Sequence, residues 1–267
     1  MASLWHRVRS LKRGAGKSHV VSSQNQSSGP PDFIGVGAQR SGTSWWFSLL
    51  LGHPGVDHGR IEQQKELHYF DRFVNGEFAR NDIAGYHAAF PRSGDLIRGE
   101  WTPRYMFDFW VPRLLSLAAP EARLLAMLRD PVERFRSGVA HEEGLYGSEA
   151  WMQKLFAGSA LARGRYAEQL DRLCDYFPRS QILVLQYERC VANPQAFYDK
   201  TLAFLGLPSF QLERSDIDRS VGNLTRRVPP PTGIRDAVVD ALRDDARRLA
   251  SAYPEIDLSL WPDFALG

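Results

Sequence analysis

From residue 32 onward, short apolar runs closed by turn residues alternate with longer stretches in which apolar positions recur at helical spacing. The short runs predict strands over 33–36, 96–98, 123–128 and 181–187, with a weaker candidate at 55–57. The longer stretches predict helices over 43–51, 112–117, 132–141, 166–176 and 194–205. A closing helix follows over 233–253, ahead of a tail anchored by Trp261. The run "QILVLQYE" is dense in large aliphatic residues, the composition of a strand covered on both faces. Strand–helix alternation of this kind predicts a parallel sheet flanked by helices, in one α/β domain. Ligands of such sheets bind beyond the carboxyl ends of the strands, so the residues just after each strand carry the chemical interest.

The first such junction is "GVGAQRSGTSWW", where Gly37 and Gly42 have the G-x-x-x-x-G spacing of a phosphate-binding loop between a strand and an apolar helix. A helix start offers unpaired backbone N–H groups to an anion, and Ser41, Thr43 and Ser44 add hydroxyl donors. The spacing makes the sheet P-loop-like. A nucleoside-triphosphate hydrolase of this class needs a lysine where this chain has Thr43; the positive charge here is Arg40, inside the loop. The loop therefore suits a short anion without the triphosphate–metal apparatus.

The second junction is "LLAMLRDPVERFRSG". An apolar strand runs into Arg129, Pro131 suits the first turn of a helix, and Ser137 lies eight residues after the arginine. Arg129 and Ser137 can meet a second phosphate. The competing structural reading pairs Arg129 with Asp130 or Glu133, and the competing functional one makes Asp130 the metal-binding carboxylate of an ATPase.

Composition changes the picture only at the edges. The 267 residues carry a net charge of +2, too little to argue for nucleic acid. Cys174 and Cys190 lack zinc-ligand spacing and read as free thiols, Cys174 packed as a small apolar side chain. Residues 1–31 hold five basic residues and no acidic one, then a Ser/Gln/Asn/Gly/Pro-rich stretch; they read as a disordered tail, or as an arm that touches anionic lipid or an acidic partner. The domain proper is then 32–267. No signal peptide or membrane span is legible, which predicts a cytoplasmic protein. The aromatic residues Trp101, Tyr105, Phe107, Phe109 and Trp110 crowd one stretch, read first as core and second as the wall of an acceptor cleft.

Together these segments resemble a known family. "PDFIGVGAQRSGTSWW" is similar to the 5′-phosphosulfate loop of sulfotransferases that use 3′-phosphoadenylyl sulfate (PAPS), and "LRDPVERFRSG" resembles their 3′-phosphate motif. "KELHYFD", "GEWTPRYM" and "FLGL" resemble segments of the heparan-sulfate branch, which holds N-deacetylase/N-sulfotransferases and 3-O-sulfotransferases. The resemblance implies that backbone and side chains from Arg40 to Ser44 (Arg40, Ser41, Gly42, Thr43, Ser44) wrap the phosphosulfate, and that Arg129 and Ser137 hold the 3′-phosphate of PAPS or of its product PAP. It implies that "NLTRR", through Arg226 and Arg227, closes over the nucleotide. No metal is required. Glu66 is then the general base, Arg40 stabilises charge on the departing phosphate, and His141, one helical turn beyond Ser137, lies near the acceptor. His68 and Trp101 are candidate acceptor contacts. The chain departs from the branch at Arg40 and at Trp101, both commonly lysine there; the tryptophan predicts either a missing active-site cation or a surface for stacking on a sugar.

The function expected is PAPS-dependent sulfuryl transfer to a hydroxyl or amine of a carbohydrate, glycoconjugate or natural product, by a bacterial member of the family. The alternatives are an atypical P-loop kinase or ATPase and a non-catalytic PAP-binding protein. Oligomeric state is not encoded legibly.

Overall fold

The computed structural model describes residues 27–57, 65–92, 94–146, 157–218 and 232–265. Four strands, β1 (Phe33–Gly37), β2 (Gly99–Trp101), β3 (Arg123–Leu128) and β4 (Ile182–Gln186), form one sheet in the order β2-β1-β3-β4. Every pairing is parallel. The strands alternate with helices α1 (Thr43–Leu51), α2 (Arg80–His87), α3 (Val111–Ala118), α4 (Pro131–Tyr146), α5 (Tyr166–Cys174), α6 (Tyr187–Ala192), α7 (Pro194–Leu205), α8 (Arg214–Asp218) and α9 (Thr232–Ala252).

Period-two alternation along the strands divides the core into two layers. Leu124, Ala126 and Leu128 of β3 face a cluster with Leu115 of α3, Leu170 of α5 and Leu242 of α9. Leu125 and Met127, one residue out of phase, face Trp46 and Leu50 of α1 and Leu202 of α7. Burying a side chain of this size contributes roughly 1.5–3 kcal/mol, so the sheet is fixed from both sides. Local chemistry sets the helix ends. Asn193 caps α7 by accepting from the Ala196 amide at 3.3 Å, with Pro194 in its first turn, and Gly206 ends it at φ 75°.

The predicted strands at 33–36, 123–128 and 181–187 and the helix at 43–51 are found within a residue or so of the expected bounds. The second strand is not: 96–98 was expected, and the ladder forms at Gly99–Trp101. Ile97 instead makes a single parallel bridge with Val56, which is all that becomes of the 55–57 candidate. α2 was not among the predicted helices. Cys174 is exposed, with its Sγ 3.7 Å from Tyr253 Oη, so it does not pack as a core residue; Cys190 does. Trp261 is fully buried and donates from Nε1 to Glu188 Oε2 at 3.0 Å, anchoring the tail as expected.

Candidate active site

β1 delivers the chain to Gly37, and the loop over 38–42 turns it into α1. The Ala38 amide donates to Met127 O on β3 at 2.8 Å, which fixes the loop's entry. Arg40 and Gly42 lie in left-handed backbone at φ 68° and 89°. A Cβ at Gly42 would sit 2.6 Å from the Tyr187 ring, so the position needs glycine for both conformation and room. The amino end of α1 has no side-chain cap and no acidic residue in its first turn, which leaves its N–H groups and positive dipole end unneutralised. Ser41 Oγ is buried there beside the Tyr166 hydroxyl, Thr43 is buried, and Ser44 is exposed.

β3 and α4 bring the second arginine to this mouth. Arg40 Nε donates to Ser137 Oγ at 3.0 Å across 97 residues of chain. Arg129 Nη1 donates to Arg40 O at 3.5 Å, its Nη2 lies 3.4 Å from Glu133 Oε2, and its guanidinium stands 5.2 Å from the Tyr187 ring centre. Glu133 is shared, because Arg136 reaches the same oxygen at 2.6 Å. Burial, and next the charge of Arg129, lower the pKa of Arg40, with Glu66 opposing them. Two half-buried guanidiniums thus meet at an uncapped helix end, with Glu133 and Glu66 as the carboxylates that oppose them. Asp130 is engaged within the fold. Its Oδ1 accepts from the Val132 and Glu133 amides at 2.8 and 3.2 Å, capping α4, and burial pushes its carboxyl up to about 6.

The segment "KELHYFD" crosses the other side of the loop. Lys65 bridges to Trp101, and the Glu66 amide donates to Trp101 O at 3.0 Å. Glu66 and His68 both have positive φ, 57° and 51°, a conformation that costs a non-glycine residue about 1 kcal/mol. The Glu66 carboxylate is paired with Lys65 Nζ and lies 3.6 Å from His68 Nε2. His68 Nδ1 in turn meets Asp71 Oδ2 at 2.9 Å. The imidazole, followed by Lys65 and against the opposing effect of burial, holds the Glu66 carboxyl down at about 2. Glu66, and more weakly Asp71, raise the pKa of His68. Asp71 escaped the sequence reading; its spacing of three from His68 was the available signal.

The structure thus brings together Arg40, Ser41, Gly42, Thr43, Ser137 and Arg129, with Glu66 close enough for its charge to act on Arg40. His141 is half-buried on α4, one turn beyond Ser137, and no hydrogen bond or ion pair joins it to Glu66, Arg40 or Arg129 among the described residues. Trp101 corrects an expectation. It is 0% exposed, its indole lies where a Cβ at Gly35 would be, and its Nε1 donates to Gly37 O at 3.3 Å. It is core beneath the loop and offers no face to a sugar. Arg226 and Arg227 lie outside the described residues. Arg163, unforeseen from sequence, donates to Gln39 Oε1 in the loop and stacks 4.8 Å from the Phe107 ring centre, adding a third guanidinium to this neighbourhood.

The sequence profile of the sulfotransferase domain family matches residues 30–225. Human heparan sulfate glucosamine 3-O-sulfotransferase 6 is 31% identical over 188 residues, 66% of this chain and 52% of that protein. Mouse bifunctional heparan sulfate N-deacetylase/N-sulfotransferase 4 is 24% identical over 198 residues, 66% of this chain and 22% of that one. The alignments therefore span about half the length of the first relative and about a fifth of the second. Among solved structures, the sulfotransferase from Alicyclobacillus acidocaldarius superposes with a TM-score of 0.70 at 22% identity, covering 87% of this chain and 98% of that one. That likeness establishes the fold.

Proposed function

Because the chain belongs to the sulfotransferase domain family, we propose that it moves a sulfuryl group from PAPS to a hydroxyl or amine, with a carbohydrate, glycoconjugate or natural product as acceptor. The observation that carries this reading is the meeting of Arg40, Arg129 and Ser137 at the uncapped start of α1. The residues fit a phosphosulfate. Ser41 Oγ is buried at the helix start, burial and the neighbouring charge of Arg129 lower the pKa of Arg40, and the first turn of α1 carries no side-chain cap. The relatives named for heparan sulfate glucosamine make a sugar the leading acceptor class.

The loop from Arg40 to Ser44 would hold the 5′-phosphosulfate, and Arg129 with Ser137 the 3′-phosphate. Arg226 and Arg227 are the proposed cover over the nucleotide, and His141 the proposed neighbour of the acceptor. When bound, PAPS supplies a sulfuryl group whose bond to the phosphate oxygen breaks as the acceptor's bond to sulfur forms, the electron pair leaving on that oxygen. Arg40 stays charged throughout and stabilises the charge arriving at the phosphate; it cannot serve as the proton donor. Glu66 takes the acceptor's proton. Its low pKa keeps it ionised across the neutral range but makes it a weak base, so it receives the proton late, once attack has acidified the acceptor. His68, held by Asp71, orients the carboxylate.

Calorimetry with PAP, set against ADP and Mg²⁺, tests the donor site. PAP is expected to bind and ADP to bind poorly. Arg129→Ala should weaken PAP about 10- to 100-fold, the worth of a hydrogen bond to a charged group. Preferential binding of ADP with Mg²⁺, unaffected by Arg129→Ala, would overturn the reading.

A further inference from the structure

The stretch "GEWTPRYM" has so far contributed only Trp101, yet at its centre lies a fully buried carboxyl that the proposed chemistry does not use. Glu100 stands in the middle of β2, in register with Ile34 of β1. Its Oε1 accepts from Tyr86 Oη of α2 at 2.6 Å, and its Oε2 from Thr102 Oγ1 at 2.6 Å. A third hydroxyl, that of Tyr105, stands close enough to favour the ionised carboxyl. A carboxylate with three hydroxyl neighbours has its lone pairs largely satisfied, the condition under which a buried polar group is tolerated.

The network leads to the segment that carries Glu66. Tyr105 Oη, a neighbour of Glu100, accepts from the Tyr69 amide at 3.0 Å. Trp101, the residue after Glu100, accepts through its carbonyl from the Glu66 amide. The segment is therefore hung from two backbone N–H groups, at Glu66 and Tyr69, and both acceptors belong to the eight residues around Glu100. Between the two hangers lie the positive φ angles of Glu66 and His68. A strained turn persists only where its surroundings over-determine it. The rings complete the clamp, since Tyr86 packs 5.2 Å from Tyr69 and 4.7 Å from Phe70, and Phe70 packs 5.3 Å from Tyr105.

The same stretch also grips the loop. The Thr102 amide donates to Gly35 O at 2.9 Å and the Met106 amide to Val36 O at 2.9 Å. We propose that Glu100 is a positioning residue for the transfer reaction: through Tyr105 and Tyr86 it fixes the strained segment that presents Glu66 at a set distance from the Arg40 loop. This rests on reading Glu66 as the base. Burial, offset by the hydrogen bonds of Thr102, Tyr86 and Tyr105, brings the Glu100 carboxyl to about 7, so its charge changes near neutrality. The titratable groups facing it are Tyr86 from α2, Tyr105 from the turn after β2 and His68 from the segment itself; β1 presents the apolar Ile34. Ionised, Glu100 can only accept, which favours a Tyr105 hydroxyl whose lone pair is left for the Tyr69 amide. Protonated, it must donate to one of the three hydroxyls and the pattern shifts.

Glu100→Gln keeps the volume and imposes one fixed pattern; Tyr105→Phe keeps the ring and removes the acceptor for Tyr69. Both are to be compared with the wild-type protein and Glu66→Gln by amide hydrogen exchange, PAP calorimetry, and PAP release from PAPS with water as acceptor. The expected result is a loss of protection of at least tenfold at the Glu66 and Tyr69 amides in both variants, with the β1 and β3 amides unchanged. PAP affinity should stay within twofold while PAP release slows about tenfold. After correction for intrinsic exchange, protection at Tyr69 should vary across neutral pH in the wild type and not in Glu100→Gln. Unchanged protection at both amides overturns the proposal, as does protection lost evenly over the sheet, which would mark Glu100 as merely structural. Should Glu66→Gln release PAP at the wild-type rate, the base assignment falls instead, whatever Glu100 does.

Discussion

The two halves of the candidate site are built on opposite plans. The Arg40 loop is a strand–helix junction at the centre of the sheet, anchored by backbone bonds to β3, and its charges repel. The Glu66 segment lies beyond β2, hangs from two amides on side-chain and carbonyl acceptors, and its charges are already paired with Lys65 and His68. One half is electrostatically incomplete and geometrically secure; the other is electrostatically satisfied and conformationally strained. A binding function needs the first arrangement and a proton-transfer function tolerates the second, because a base must be held in place rather than left hungry for charge.

That contrast breaks most readily at Glu66. Glu66→Gln should lower the turnover number about 10²- to 10⁴-fold, the usual reach of a general base, while calorimetric PAP affinity stays at the wild-type level. A parallel fall in affinity would mean that the two halves are one electrostatic unit. Next in size is Gly42→Ala, which forces a Cβ into left-handed backbone 2.6 Å from the Tyr187 ring. Thermal and chemical unfolding should report a loss of roughly 1–2 kcal/mol from the backbone conformation alone, and PAP binding should weaken with it. An unaltered melting curve would show the loop to be softer than its contacts imply.

Ser137→Ala removes the acceptor of the 3.0 Å bond from Arg40 and one proposed phosphate donor. A neutral hydrogen bond of about 0.5–1.5 kcal/mol predicts PAP binding 2- to 10-fold weaker by calorimetry. The smallest effect is expected at Asp71→Asn. His68 titrates above its ordinary value of 6.5 in the fold, so its charged form stabilises the fold below that value. The contribution is lost as pH rises through the raised value. Removing one of the two flanking carboxylates should move the imidazole titration, followed by NMR, downward and bring that loss to lower pH. An unmoved titration would leave Glu66 as the sole holder of the imidazole.

What the sequence made legible were the features written locally. β1 and β3 are apolar runs closed by glycine or Asp-Pro, and the loop's glycines and the Arg129–Ser137 spacing lie within single stretches. β2 was misplaced by three residues because Gly99 and Glu100 oppose a strand by propensity; tertiary contacts override it, since Glu100 is satisfied by the hydroxyls of Tyr86 on α2 and of Thr102 beside it. α2 was missed because "RNDIAGYH" is a poor helix former, sustained by the Asp82 carboxylate bonding the Ala79 amide and by burial of Tyr86. In the site, Trp101 misled for the same reason. Whether an aromatic residue faces a cleft or fills the gap above a glycine depends on Gly35, sixty-six residues away. The Arg40–Ser137 contact and the inward Glu100 are likewise properties of the packed sheet, with no trace in spacing.

The unbalanced charge at the start of α1 also governs how any oxyanion reaches it. If the mouth between Arg40 and Arg129 is the proposed donor seat, small tetrahedral anions such as sulfate and phosphate are expected to compete for it. Simple salt screens the approach over a Debye length of about 8 Å at physiological ionic strength. It acts mainly on encounter, whereas a tetrahedral anion occupies the seat itself. On that reading, assays in phosphate buffer, or on protein carried through ammonium sulfate, would begin with the proposed donor seat contested, and an apparent KM measured there would belong partly to the buffer.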